Sequence, residues 1–186
     1  MAINWGAFET QLLDSTTREL TSFGAGNALE SFYGFMFDCN SDYGQVLLCL
    51  NTEESLQKQA ESYKRDHADL YANKTINDIK QSLRWNAGDW AHQGFNSGSF
   101  DSDLSEFESS VADATMDEEE DEETFMPPTQ DRFMKSVCRV LLRLERTNAF
   151  DCLVRTADFR TFVADHDETD DDSWGRLKMV RESAAQ

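Results

Sequence analysis

Residues 32–50 read Phe-Tyr-Gly-Phe-Met-Phe-Asp-Cys-Asn-Ser-Asp-Tyr-Gly-Gln-Val-Leu-Leu-Cys-Leu. An aromatic run, Phe32 to Asp38, and an aliphatic run, Val46 to Leu50, flank a stretch of turn formers, Asp38 to Gly44. Short apolar runs bounded by Asp, Asn, Ser and Gly predict a β-hairpin. Little else is suited to a sheet, because seven Val and three Ile are few for 186 residues. Helices therefore fill most of the remaining chain.

Upstream, Trp5, Phe8 and Leu12 recur at helical spacing behind Asn4, predicting a capped helix over 4–20. Downstream, Asn51 and Glu54 have capping-box spacing, and Leu56, Ala60, Tyr63 and His67 follow on one face. Thr75 and Asp78 repeat the box ahead of Ile76, Ile79 and Leu83. Asp103 with Glu106 reads as the start of a further helix carrying Leu104, Phe107 and Val111. Asp131 to Arg146 is the most apolar helix. Phe133, Val137, Val140, Leu141 and Leu144 form its stripe, widened by Met134, Cys138 and Leu142. Cys152 to Arg155 and Phe159 to Ala164 read as two short strands, and a short helix from about Ser173 closes the chain. The expectation is an α+β fold: a small antiparallel sheet, made of the hairpin and the C-terminal strands, covered by several helices. One domain over 1–186 is expected, with an acidic solvated loop at about 116–128.

Charge narrows function. Lys and Arg total 17 against 36 Asp and Glu, a formal net charge of −19. Direct nucleic-acid binding needs cations against phosphate, so this chain is repelled. Anionic membrane surfaces are disfavoured for the same reason, and a cationic protein is the natural complement. Solubility alone is the plainer explanation. The opening MAINWGAFETQLL has no basic n-region and no long apolar run, which predicts a cytoplasmic protein. Cys39, Cys49, Cys138 and Cys152 have no C-x-x-C spacing and read as reduced thiols, with a Cys39–Cys49 bridge geometrically open in a hairpin.

Catalytic and metal signatures are weak. Asp38, Asn40 and Asp42 occupy the first ligand positions of an EF-hand-like loop, but Tyr43 and Cys49 stand where Gly and Glu are needed. That segment reads as a hairpin turn. Asp165, His166, Asp167 and Glu168 offer oxygens without fixed geometry. His67, His92 and His166 are scattered, and no nucleophile elbow, H-E-x-x-H or phosphate loop is present. The expectation is no enzyme, no cofactor and no metal.

The most individual stretch is Arg84-Trp-Asn-Ala-Gly-Asp-Trp90. Gly88 suits a positive φ and Asp89 can bond neighbouring amides. Trp85 and Trp90 read either as a buried corner or as interface anchors.

Taken in order, several segments resemble one bacterial family, that of domain of unknown function 4303. They are Trp5 and Phe8, the strand Phe32 to Asp38, Leu48-Cys-Leu-Asn-Thr-Glu-Glu54, Leu83 to Trp90, and Asp158 to Glu168. The Asn-Thr-Glu-Glu and Arg-Trp-x-x-Gly-Asp-Trp pieces are the most specific, and the acidic run Asp117 to Glu123 looks like a private insertion. Members of that family resemble immunity proteins of polymorphic toxins, with a loose likeness to the SMI1/KNR4 superfamily. The resemblance implies an immunity protein that binds a cognate secreted toxin, a cationic domain such as a nuclease, and occludes its basic surface. The alternative is an interaction scaffold unrelated to a toxin, and a metal-dependent hydrolase using the His166 region is a third reading. The expected contact residues are Asp117, Glu118, Glu119, Glu120 and Asp121 of the acidic run, Asp170, Asp171, Asp172 and Trp174 near the C-terminus, and Trp85, Asp89 and Trp90 of the tryptophan corner.

Overall fold

A computed structural model describes residues 3–96, 98–118, 126–166 and 168–184. The elements run α1 (Trp5–Gly26), β1 (Phe32–Asn40), β2 (Gln45–Thr52), α2 (Glu53–Asp66), α3 (Ala68–Tyr71), α4 (Ile76–Leu83), α5 (Gly98–Asp117), α6 (Pro128–Arg146), β3 (Arg155–Asp165) and α7 (Asp170–Ser183). The α+β expectation is met: helices cover a three-stranded sheet of order β2-β1-β3.

The hairpin forms where the sequence predicts it. Its loop closes through Gly44 at φ +64°, where a Cβ would lie 2.7 Å from Val111, so the position needs glycine. The sheet is nevertheless mixed rather than antiparallel. β3 pairs parallel to β1, Gly34 to Cys39 running beside Arg160 to Asp165. The two short strands expected at the C-terminus are also revised. Cys152 lies in a 3₁₀ turn, Ala149–Cys152, and β3 is one strand whose pairing skips from Arg155 to Arg160.

Two cores share this sheet. Phe32, Phe35, Phe37 and Cys39 join Leu12, Phe133 and Leu141 under α1, α5 and α6. Tyr33, Met36, Cys49 and Phe162 join Leu56, Ile79 and Trp90 on the side of α2 and α4. A bulge at Tyr33, where Phe32 and Gly34 face consecutive residues Thr52 and Asn51, shifts the alternation and puts Tyr33 and Gly34 on the second side. Cys39 and Cys49 consequently enter opposite cores. Cys39 faces Val46 and Cys49 faces Met36, and all four thiols are free. The open edge of β2 is shielded by backbone bonds between Leu50 and His92 and from Phe95 to Leu48.

Helix α6 buries its whole predicted stripe. Three cap assignments move. Thr52, not Asn51, caps α2, and Asp103 lies inside α5, where its carboxylate accepts from Ser15 and Arg18 of α1. The last helix begins at Asp170 behind Thr169. Asn4 and the Thr75/Asp78 box cap their helices as read.

Gly34 sits under two rings: a Cβ there would lie 3.0 Å from carbons of both Trp85 and Trp90. Gly34→Val is therefore expected to cost about 1–3 kcal/mol through overpacking, read from urea unfolding. An unchanged midpoint would show that the rings can withdraw.

Candidate functional site

Helices α6 and α7 lie side by side and run the same way. Asp131 of α6 shares a groove with Asp171 and Asp172 of α7, while at the other end Arg181 donates to Glu145 at 3.0 and 3.1 Å. Both helix N-termini therefore meet at one end of the molecule, where the macrodipoles favour carboxylates.

That end gathers acidic side chains from four segments. Glu118 leaves α5 and accepts from the Thr129 backbone N–H at 3.1 Å and from its hydroxyl, holding the first turn of α6. Gln130 donates to Asp42 of the hairpin loop at 2.6 Å. Asp131 pairs with Lys135. Asp172 accepts from the Thr169 hydroxyl and closes the cap of α7, and Asp171 is exposed. Between α6 and α7 runs a groove of about 610 Å³ with an apolar floor of Met126, Pro128 and Met179.

A buried ion pair fixes the start of α7. Arg176 Nη1 donates to Glu168 Oε2 at 2.8 Å, Nη2 abuts Oε1, and Ser173 Oγ donates to the same carboxylate at 3.0 Å. The side chains are only 8% and 4% exposed. Of the four side chains considered for metal, Asp165, His166, Asp167 and Glu168, the last is thus committed to Arg176. Asp165 accepts from the Ser41 backbone and hydroxyl, and Asp167 lies outside the described residues. Among the described residues no three His, Cys, Asp or Glu side chains converge as metal ligands.

A second cavity, about 580 Å³, opens beyond the C-terminal ends of β1 and β3 and is lined by Asp38, Trp85, Asn86 and His166. Burial pushes the Asp38 carboxyl up, Asp165 adds to this, and the His166 charge opposes it. The folded protein thus holds that proton more tightly than the unfolded chain. The stability this contributes is present at low pH and lost as pH rises through the carboxylate range. Asp38→Asn is expected to be more stable than the parent at neutral pH, with the gap closing as pH falls; urea midpoints at both conditions read it. A pH-independent gap would contradict the assignment.

The predicted contact residues divide. Asp117, Glu118, Asp171 and Asp172 lie at the acidic α6–α7 end or beside it; Trp174 faces away from it, lining a separate cavity with Glu145, Phe159 and Arg181; Glu119, Glu120, Asp121 and the Asp170 side chain lie outside the described residues. Trp174 stacks on Phe162 with centroids 4.5 Å apart and approaches Trp85 at 6.4 Å. Asp89 and Trp90 stand apart from the groove. Asp89 accepts from Gln59, Tyr63 and Asn86, and Trp90 is 3% exposed with its Nε1 donating to the Arg84 carbonyl at 3.0 Å. The corner is a 3₁₀ turn, Ala87–Asp89, and Gly88 needs no positive φ. Sequence reasoning missed Met126, Asp131, Gly175 and Met179. The signal available was the i, i+4, i+8 spacing of Asp171, Gly175 and Met179.

The sequence pattern of the family described as Domain of unknown function (DUF4303) matches residues 12–179. The chain belongs to this family. No curated protein and no solved structure matches it. Two stretches inside the matched region, Asn51 to Glu54 and Arg84 to Trp90, meet in space. Glu53 accepts from Arg84 Nη1 at 2.5 Å, and Asn51 Oδ1 accepts from Thr52 and Ala91 backbone N–H groups. Arg84 also lies 4.1 Å over the Tyr33 ring, and both Tyr33 and Trp90 donate to its carbonyl. Burial alone would raise the Glu53 carboxyl, but the bonds from Arg84 and Lys80 outweigh it and hold it below its usual range. In this DUF4303 chain the Asn-Thr-Glu-Glu and Arg-Trp-x-x-Gly-Asp-Trp pieces lock α2, α4 and the sheet together.

Proposed function

We propose that this protein is an immunity protein: in the cytoplasm it binds a cognate secreted toxin, a nuclease, and neutralises it by covering the toxin's basic active surface. The observation that carries the reading is the placing of Asp131, Asp171 and Asp172, from two helices, along one apolar-floored groove, with Asp42 and Glu118 bonded to the first turn of α6 beside it. A nuclease must set cations against phosphate. A carboxylate surface can occupy those same cations, and charge complementarity speeds the encounter. The resemblance of the family to toxin-immunity proteins points the same way.

Co-expression with toxin domains encoded beside the gene tests this. One of them should copurify stoichiometrically and lose its nuclease activity in the complex. Full toxin activity in the presence of the protein, with no complex formed, would overturn the reading.

A further inference from the structure

Gly175 faces the α6–α7 groove from the interior of α7, and a Cβ built there would meet nothing within 4 Å. Glycine inside a helix is unfavourable relative to alanine. Alanine would fit here, so local stability does not explain the residue. What its absence of side chain provides is depth. The groove floor is Met126, Pro128 and Met179, of which Met179 is 56% exposed, and Asp131, Asp171 and Asp172 stand along it. Unbranched methionine adapts to varied apolar shapes. Arg176, which also lines the groove, is paired with Glu168, and Asp131 shares its carboxylate with Lys135.

We propose that this groove receives a basic amphipathic helix of the partner protein, with an apolar side chain seated over Gly175 between Met126 and Met179 and flanking Lys or Arg groups on Asp131, Asp171 and Asp172. The proposal rests on the immunity reading for the partner's identity. The occupant follows from the groove itself: apolar anchors in a furrow between two helices suit a helix, and the carboxylates along the walls select its basic flanks.

The probe is a synthetic peptide of about five helical turns with a leucine face and a lysine face. Its control carries the same lysines with every leucine replaced by serine. The intact protein should bind the leucine peptide one to one, and the serine peptide about tenfold more weakly or worse, because the anchor is lost. Gly175→Phe fills open space and should fold, yet should weaken the leucine peptide by about tenfold. Met179→Ser, at an exposed position, should weaken it in the same direction and serves if Gly175→Phe does not fold. Equal binding of the two peptides, or binding indifferent to both substitutions, would overturn the proposal. The peptides require no toxin. Toxin capture with no peptide preference sinks the groove alone, and peptide preference with no toxin capture sinks the immunity reading alone.

Discussion

Arg176→Met should be the most damaging single substitution near the groove. It leaves the Glu168 carboxylate buried with Ser173 as its one remaining donor among the described residues, and an uncompensated buried charge costs about 3–5 kcal/mol. The pair ties the segment after β3 to the second turn of α7, so the loss should also loosen the placement of Asp171 and Asp172. Replacing both partners with methionine removes the charge as well as its counter-charge, and should recover most of the loss. Urea unfolding of the two single variants and the double variant completes the cycle. If Arg176→Met and the double variant were equally unstable, the damage would come from lost packing and not from an orphaned charge.

The second large effect concerns binding kinetics. Exposed charges are screened within about 8 Å at physiological salt and act mainly on association. Replacing Asp117 and residues 119–123 with Ser and Gly should slow association with the toxin by up to about tenfold and flatten its salt dependence. Glu118 is kept in this variant because it holds Thr129 at the start of α6, and its loss would confound steering with stability. Asp171→Asn with Asp172→Asn should instead speed dissociation, because those groups line the groove. Stopped-flow mixing over a range of salt separates the two. Unchanged rates in both variants would assign the net charge to solubility.

Local patterns carried much of the fold. The α6 stripe is read from sequence because its eight apolar positions are all buried at helical spacing, and Asn4 and Thr75 are found because their caps are satisfied within one turn. Pairing direction is not local. Nothing in Phe159 to Ala164 states that it lies parallel to β1, since that depends on the long path through α2, α4, α5 and α6. Asp103 misleads because the spacing that suits a cap also suits an acid in mid-helix, and its partner, Arg18, is remote in sequence. Asn51 and Thr52 are both competent caps, and the choice falls to Thr52 because Asn51 is drawn to Tyr33 and Ala91.

The candidate site was legible in its charges and not in its shape. The acidic run before α6 and the acidic cluster at the start of α7 are plain in the sequence, whereas Asp42 and Asp131 are single acids in a turn and a helix that nothing local marks. Their convergence depends on α6 and α7 lying parallel, which is held by Glu145 with Arg181 at one end and by Leu177 and Val180 entering the same core as the α6 stripe. The tryptophan corner shows the reverse. Its residues stand out because they lock the fold, with Gly34 giving way beneath both rings.

The most direct test of the account is an amide chemical-shift map of the protein with and without its bound toxin domain. The predicted result is that shifts concentrate at residues 126–131 and 168–179, the two walls of the groove, and leave α2 and α4 unmoved. Shifts confined to α2, α4 and the tryptophan corner, with the groove silent, would contradict it.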